Sequence, residues 1–127
     1  MEWKVKFYDA FELEFDALPQ EVKNELLATA KLLEQFGPQL KRPHVDTLNG
    51  SKYSNMKELR FLASDGVWRV AFAFDPVRRA ILLVAGDKSG VSEKLFYKQL
   101  IKKADKRYKE HLRRLKEEEE IHGEKPE

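Results

Sequence analysis

Two arginines, Arg60 and Arg69, each sit inside a segment whose neighbours are largely apolar: Leu59 and Phe61 for the first, Trp68 and Val70 for the second. A guanidinium stays charged at any biological pH and forks onto pairs of phosphate oxygens, so these residues suit an anionic phosphate and cannot serve as a base. Groups able to exchange a proton lie close by in sequence. Glu58 precedes Arg60 by two positions, and Asp87 and Lys88 close the next apolar segment. Lys88 becomes a base only where neighbouring cations lower its pKa, whereas Glu58 and Asp87 can take a proton as carboxylates. The choice among the three stays open at this level. Tyr97, further along, carries a phenol that can stack on a base or donate a proton. Lys52 and Lys57, with Lys94 and Lys98 on either side of that tyrosine, add cations of the kind that grip a phosphate backbone. Plainer roles compete: solvent-facing strand arginines paired with Glu58, a turn residue at Lys88, a core tyrosine.

Charge is distributed unevenly around these residues. Positions 1–36 carry 4 basic and 8 acidic side chains, positions 37–116 carry 19 and 8, and positions 117–127 carry 1 and 6, which together give the net charge of +2. A body at +11 flanked by acidic ends attracts polyanions, and nucleic acid is the first partner to expect. Ten of the 19 cations fall between Lys94 and Lys116, so a solvated basic helix explains part of the excess.

Composition narrows the classes further. With no cysteine there is no disulfide, thiolate metal site or thiol nucleophile, and the three histidines, His44, His111 and His122, follow no metal-binding spacing. Neither a metal nor another cofactor is expected. Hydrophobic content of 42% supports one packed domain, and 127 residues bury about two-thirds of the unfolded surface. No apolar run approaches the roughly 20 residues of a membrane helix, and the first residues lack a hydrophobic signal segment, so a soluble cytoplasmic protein is expected.

The elements that must position these groups read in the order β-α-α-loop-β-β-β-α. Trp3, Val5 and Phe7 alternate with lysines as a strand. Asp9 and Glu12 have the spacing of a capping box ahead of a helix carrying Phe11, Phe15 and Leu18, and a second helix runs from Pro19 until Gly37-Pro38 stops it. Positions 37–55 read as a long ordered loop. Strands follow over 56–63, 67–74 and 80–86, the first two joined by an Asp65-Gly66 turn that pairs Ser64 with Val67 and sets Arg60 beside Ala71. Arg60 and Arg69 then leave the same non-core face. Tyr97, Ile101, Ala104, Tyr108, Leu112 and Leu115 mark a final amphipathic helix. The expectation is an α+β domain over 1–116, with a mainly antiparallel four-stranded sheet, helices on one side and a basic concavity on the other. Residues 117–127 form an acidic tail expected to be disordered.

In that order and spacing, several stretches carry a resemblance: Arg42-Pro43-His44-Val45-Asp46-Thr47-Leu48, Gly50-Ser51-Lys52, Asn55-Met56-Lys57-Glu58-Leu59-Arg60, Trp68-Arg69-Val70, Phe72-Ala73-Phe74-Asp75-Pro76 and Gly86-Asp87-Lys88-Ser89-Gly90. Over about residues 3 to 112 the chain resembles HigB-like toxins, the phage-related branch of the RelE/ParE superfamily. The resemblance implies the RelE-like fold and a toxin of a type II toxin-antitoxin operon. It further implies a metal-independent endoribonuclease that cleaves mRNA on the translating ribosome and a cognate helix-turn-helix antitoxin. Cleavage by the RNA's own 2′-hydroxyl needs a base, cations on the phosphorane oxygens and a proton donor for the 5′-oxygen. Arg60 and Arg69 fit the second need, Glu58, Asp87 or Lys88 the first, and Tyr97 the third. A ParE-like gyrase inhibitor on the same fold, or an inert relative that only binds RNA or antitoxin, are the alternatives.

Overall fold

A computed structural model describes residues 2–123 in backbone and 2–121 in side chain. The chain forms β1 (Lys4–Phe7), α1 (Asp9–Asp16), α2 (Gln20–Phe36), a short 3₁₀ turn (Gly37–Gln39), β2 (Val45–Thr47), β3 (Met56–Ala63), β4 (Gly66–Phe74), β5 (Arg79–Asp87) and α3 (Glu93–Gly123). The strands make one sheet in the order β1-β5-β4-β3-β2, with β1 parallel to β5 and every other pairing antiparallel. The α+β class and element order follow the pattern of the sequence, but the sheet has five strands where four were expected. The added strand, β2, lies inside the segment read as loop. Three residues are too few for alternation to show, and only pairing with Leu59, Glu58 and Lys57 makes them a strand.

Gly37 ends α2 because its φ of 55° belongs to the left-handed region and a Cβ there would lie 2.3 Å from the Trp3 indole nitrogen. Ahead of it, α2 buries Val22, Leu26, Thr29, Ala30 and Leu33. Together with Phe11 of α1 they cover Val45, Leu59, Val70, Phe72 and Leu82 on one sheet face. The other face presents Met56, Ala71, Ala73, Ile81 and Leu83 to Phe96, Leu100, Ala104 and Tyr108 of α3. Small alanines on both sides of that contact let the helix lie close. Helices therefore flank both faces, which corrects the expected one-sided cover, and the basic surface is what α3 leaves open.

The β3–β4 turn is Ser64-Asp65, both left-handed at φ 49° and 60°, so Ala63 pairs with Gly66. The expected Asp-Gly turn is displaced because Gly66 is needed inside the strand: a Cβ there would meet the Trp68 indole nitrogen at 2.7 Å and an Asp87 carboxylate oxygen at 2.8 Å. Faces are preserved, since the pairing changes by an even step, but Arg60 now opposes Arg69 rather than Ala71.

At its far end α3 continues through Glu117–Glu120, where disorder was expected, up to Gly123; residues 124–127 lie outside the described residues. Arg113 bridges Glu110 and Glu117 one turn to either side, and Arg114 reaches Asp9 of α1 at 3.1 Å, which supports this polar turn.

Candidate active site

β3 and β4 place Glu58, Arg60 and Arg69 on the face that α3 covers, and the first turns of α3 bring Tyr97 over them. Glu58 is 3% exposed. Its Oε2 accepts a hydrogen bond from Arg60 Nη1 at 3.0 Å, and its Oε1 accepts one from the Tyr97 hydroxyl at 2.9 Å. Arg69 Nε donates to that hydroxyl at 3.2 Å, lies 3.7 Å from Glu58 Oε1, and its Nη1 donates to the Trp68 carbonyl at 2.9 Å. Burial pushes the Tyr97 phenol up; donation from Arg69 opposes this and the Glu58 carboxylate reinforces it, so the group keeps its proton at neutral pH. Tyr97 is thus a proton donor poised between a cation and a carboxylate.

Lys88 stands at the rim. Its backbone amide donates to the Val67 carbonyl at 2.8 Å, while Nζ lies 2.8 Å from Glu93 and 5.7 Å from the centre of the Tyr97 ring. Lys88 first, then Arg69 and Arg60, hold the Glu93 carboxyl below the usual carboxylate range. Asp87 has another use. Its Oδ1 accepts from the amides of Val67 and Ser89 and from the Ser89 hydroxyl, at 3.0, 2.9 and 2.6 Å. Burial raises its pKa, but these donors outweigh it and keep the group ionised as the organiser of a turn.

Of the four lysines expected to bind a backbone phosphate, Lys94 and Lys98 are exposed one turn apart on α3, on either side of Tyr97. Lys52 is exposed on a loop docked to α3: its amide donates to Asp105 Oδ2 at 3.0 Å and the Ser51 hydroxyl to Oδ1 at 2.5 Å. Lys57 does not join them. Alternation along β3 turns it to the opposite face from Glu58, beside Lys41 and Thr47.

Sequence reasoning assigned no role to two residues that complete the cluster. Asp46 of β2 pairs directly with Glu58, and Arg42 Nε and Nη2 donate to its Oδ2 at 3.0 and 2.6 Å. Arg42 first, then the Thr47 amide, hold the Asp46 carboxyl low, with Arg60 adding to the effect. The only sequence signal was their place in the Arg42-to-Leu48 stretch, because β2 itself was not legible. Among the described residues, no group of three or more His, Cys, Asp or Glu side chains is arranged to hold a metal, and no buried side-chain polar atom lacks a partner. No helix among them is long and apolar enough to cross a membrane.

A mixed five-stranded sheet with two amino-terminal helices and a carboxy-terminal helix across its other face is the RelE fold. The free state of a mutant of the Escherichia coli toxin RelE superposes with a TM-score of 0.60, covering 84% of this chain and 98% of that one at 14% identity. Residues 13–109 match the family described as "Phage derived protein Gp49-like", and the chain belongs to that family. Among its relatives are proteins named as candidate toxins HigB2 and HigB3 of Mycobacterium tuberculosis. HigB2 is 44% identical over 99 residues, 76% of this chain, and HigB3 is 45% identical over 93 residues, 73% of this chain. The chain spans 48% of the length of HigB2 and 79% of that of HigB3.

Proposed function

We propose that this protein is the toxin of a type II toxin-antitoxin system, a ribosome-dependent endoribonuclease that cuts mRNA in the cytoplasm and is neutralised by a helix-turn-helix antitoxin. The observation that carries the reading is the protonated Tyr97 phenol hydrogen-bonded to both Arg69 and Glu58, with Arg60 on the same carboxylate. In the proposed reaction a substrate phosphate replaces the phenol and carboxylate oxygens as acceptor for Arg69 and Arg60. The 2′-hydroxyl gives its proton to Glu58 and its oxygen attacks phosphorus. As the bond to the 5′-oxygen breaks, Tyr97 protonates that oxygen, leaving a 2′,3′-cyclic phosphate and a 5′-hydroxyl. The two guanidiniums stabilise the charge that builds on the phosphorane. Exposed Lys94 and Lys98 hold the flanking backbone, and the ribosome supplies the positioning of the strand.

Mapping mRNA 5′ ends after brief expression in a bacterial host tests the reading. New ends inside translated regions, absent with Arg69→Ala, are expected. Growth arrest with a DNA-damage response and no new ends would replace it with gyrase inhibition.

A further inference from the structure

A groove of about 630 Å³ opens away from the cluster, between the start of α1 and the second half of α3. β1 ends at Phe7, whose partner on β5 is Leu82, so from Leu83 onward no strand among the described residues lies on that side of β5. Arg107 of α3 takes the place. Its Nη1 donates to the Leu83 carbonyl at 2.6 Å, and Nη1 and Nη2 donate to the Glu14 carboxylate of α1 at 2.9 and 2.5 Å. Tyr8 and Ala10 line the groove opposite α3. Leu13, three positions on from Ala10 and so on its side of α1, is 75% exposed. The other wall is six cations of α3 with one carboxylate, Glu110, among them. Two of these cations, Lys106 and Lys109, are exposed and make no ion pair or hydrogen bond among the described residues. With Arg113 they follow at intervals of three and four, a line of charge that rises about 10 Å along the helix.

We propose that this groove docks an acidic amphipathic helix of a protein partner, with its carboxylates on Lys106, Lys109 and Arg113 and its apolar side chains against Leu13, Ala10 and Tyr8. The basic wall takes carboxylates wherever the chain itself brings one. Glu14 lies on Arg107, Asp9 on Arg114 at 3.1 Å, and Glu110 on both Arg113 and Arg114. A helix laid in a groove is recognised through anchors at i, i+3 and i+7, which is the spacing of the three cations. Nucleic acid fits this surface less well. The guanidiniums of Arg107 and Arg114 stand 5.7 and 5.4 Å from the centre of the Tyr8 ring, so the aromatic face is already taken and offers no platform to a base. A phosphate backbone also has no use for an exposed leucine. From Tyr97 to Arg107 the helix rises about 15 Å, so a segment seated in the groove can hold its partner without filling the catalytic cluster. On the toxin reading the partner is the antitoxin, and this assignment alone rests on that reading; the groove stands on its own geometry.

The test titrates the full-length protein with a fluorescent peptide in which leucines recur at every third or fourth position among glutamates, read by anisotropy. Lys106→Glu combined with Lys109→Glu, at exposed positions where folding is insensitive, is expected to weaken binding about tenfold or more. The same two reversals at Lys94 and Lys98, beside Tyr97, are expected to weaken it by less than about threefold. Equal losses from the two pairs would mean diffuse attraction to a basic body and would overturn the groove. So would equal binding of a peptide with serine in place of leucine, or displacement of the peptide by single-stranded RNA. Coexpression tests the assignment of the partner. The antitoxin encoded beside this chain is expected to restore growth against wild type but not against the Lys106→Glu, Lys109→Glu variant, which itself arrests growth as wild type does. Equal restoration would overturn the antitoxin assignment, and a variant that no longer arrests growth would make the groove part of the toxic site instead. If wild type arrests no growth, the toxin reading falls and the peptide titration alone decides the groove.

Discussion

Glu58 and Asp75 are both buried acids, and the fold uses them in opposite ways. Asp75, just past the end of β4, has a side chain with no exposure at all. Its Oδ1 accepts from the amides of Val77 and Arg79, and its Oδ2 from Arg79 Nε and Nη2 at 3.2 and 3.0 Å, with His111 Nε2 of α3 at 2.8 Å. Four of these five contacts come from within four residues, so the cluster closes on itself and fixes the turn into β5. Glu58 collects its partners from β3, β4 and α3; Arg69 is buried with it, while Arg60 and the rim residue Lys88 stay partly open at 22% and 24% side-chain exposure. Local donors make a structural knot. Donors gathered from distant elements around an opening make a place where a ligand can exchange with them.

The largest effect that sharpens this contrast is thermodynamic. Asp75→Ala leaves Arg79 and His111 without their shared acceptor and two turn amides unbonded, and is expected to cost about 3–5 kcal/mol, read as a fall in the denaturation midpoint. Arg69 is buried too, but its removal leaves Glu58 the bonds from Arg60 and Tyr97, so Arg69→Ala is expected to cost about 1–3 kcal/mol, less than Asp75→Ala, while reducing RNA cleavage about 10²–10³-fold, with Lys a poor substitute for the forked guanidinium. A large stability loss from Arg69→Ala would make Glu58 a knot of the same kind as Asp75. Tyr97→Phe keeps the ring and removes the proton donor; an approximately 10²-fold drop in cleavage rate is expected, and a near-normal rate would assign the donor role elsewhere.

Acid separates the two carboxylates as well. Burial raises the Asp75 pKa, yet His111 and Arg79 outweigh it and set the folded value below the unfolded one. A depressed carboxyl contributes stability that is fully present above the unfolded pKa, near 4, and is lost as pH falls through the lower folded value. Asp75→Asn is expected to flatten stability against pH below about 4, measured by denaturant titration. The Tyr97 phenol is shifted the other way, so its contribution persists at neutral pH and is lost only as pH rises through a folded value above 10.0. The smallest effects are electrostatic. Replacing Lys94 or Lys98 by Ala is expected to weaken RNA binding and lower the salt slope by about 0.7 for each phosphate no longer neutralised. Lys57→Ala, on the other sheet face, is expected to change neither.

Most elements were legible because their signals are local. Trp3, Val5 and Phe7 alternate, Val22, Leu26 and Leu33 recur at helical intervals, and Arg69 interrupts an apolar strand. The parity of β3 and β4 alone placed Glu58, Arg60 and Arg69 on one face, and a shift of register by an even step could not undo it. β2 was invisible because a three-residue strand is defined by its partner rather than by its pattern. Asp46 and Arg42 were missed with it. The surroundings of Asp87 and Lys57 were unreadable for related reasons: composition shows a carboxylate or an ammonium but neither the amides that claim the first nor the face to which the second turns.

The sequence by itself determined the class of fold, the basic body and the residues able to meet a phosphate, since periodicity, charge and side-chain chemistry are properties of the chain. Tertiary structure decided which of them act together. The pairing of β2 with β3, the turn that sets Arg60 opposite Arg69, and the angle at which α3 lowers Tyr97 onto Glu58 depend on contacts between residues up to 39 positions apart. Such distances are fixed by packing a whole core, and no local pattern encodes them.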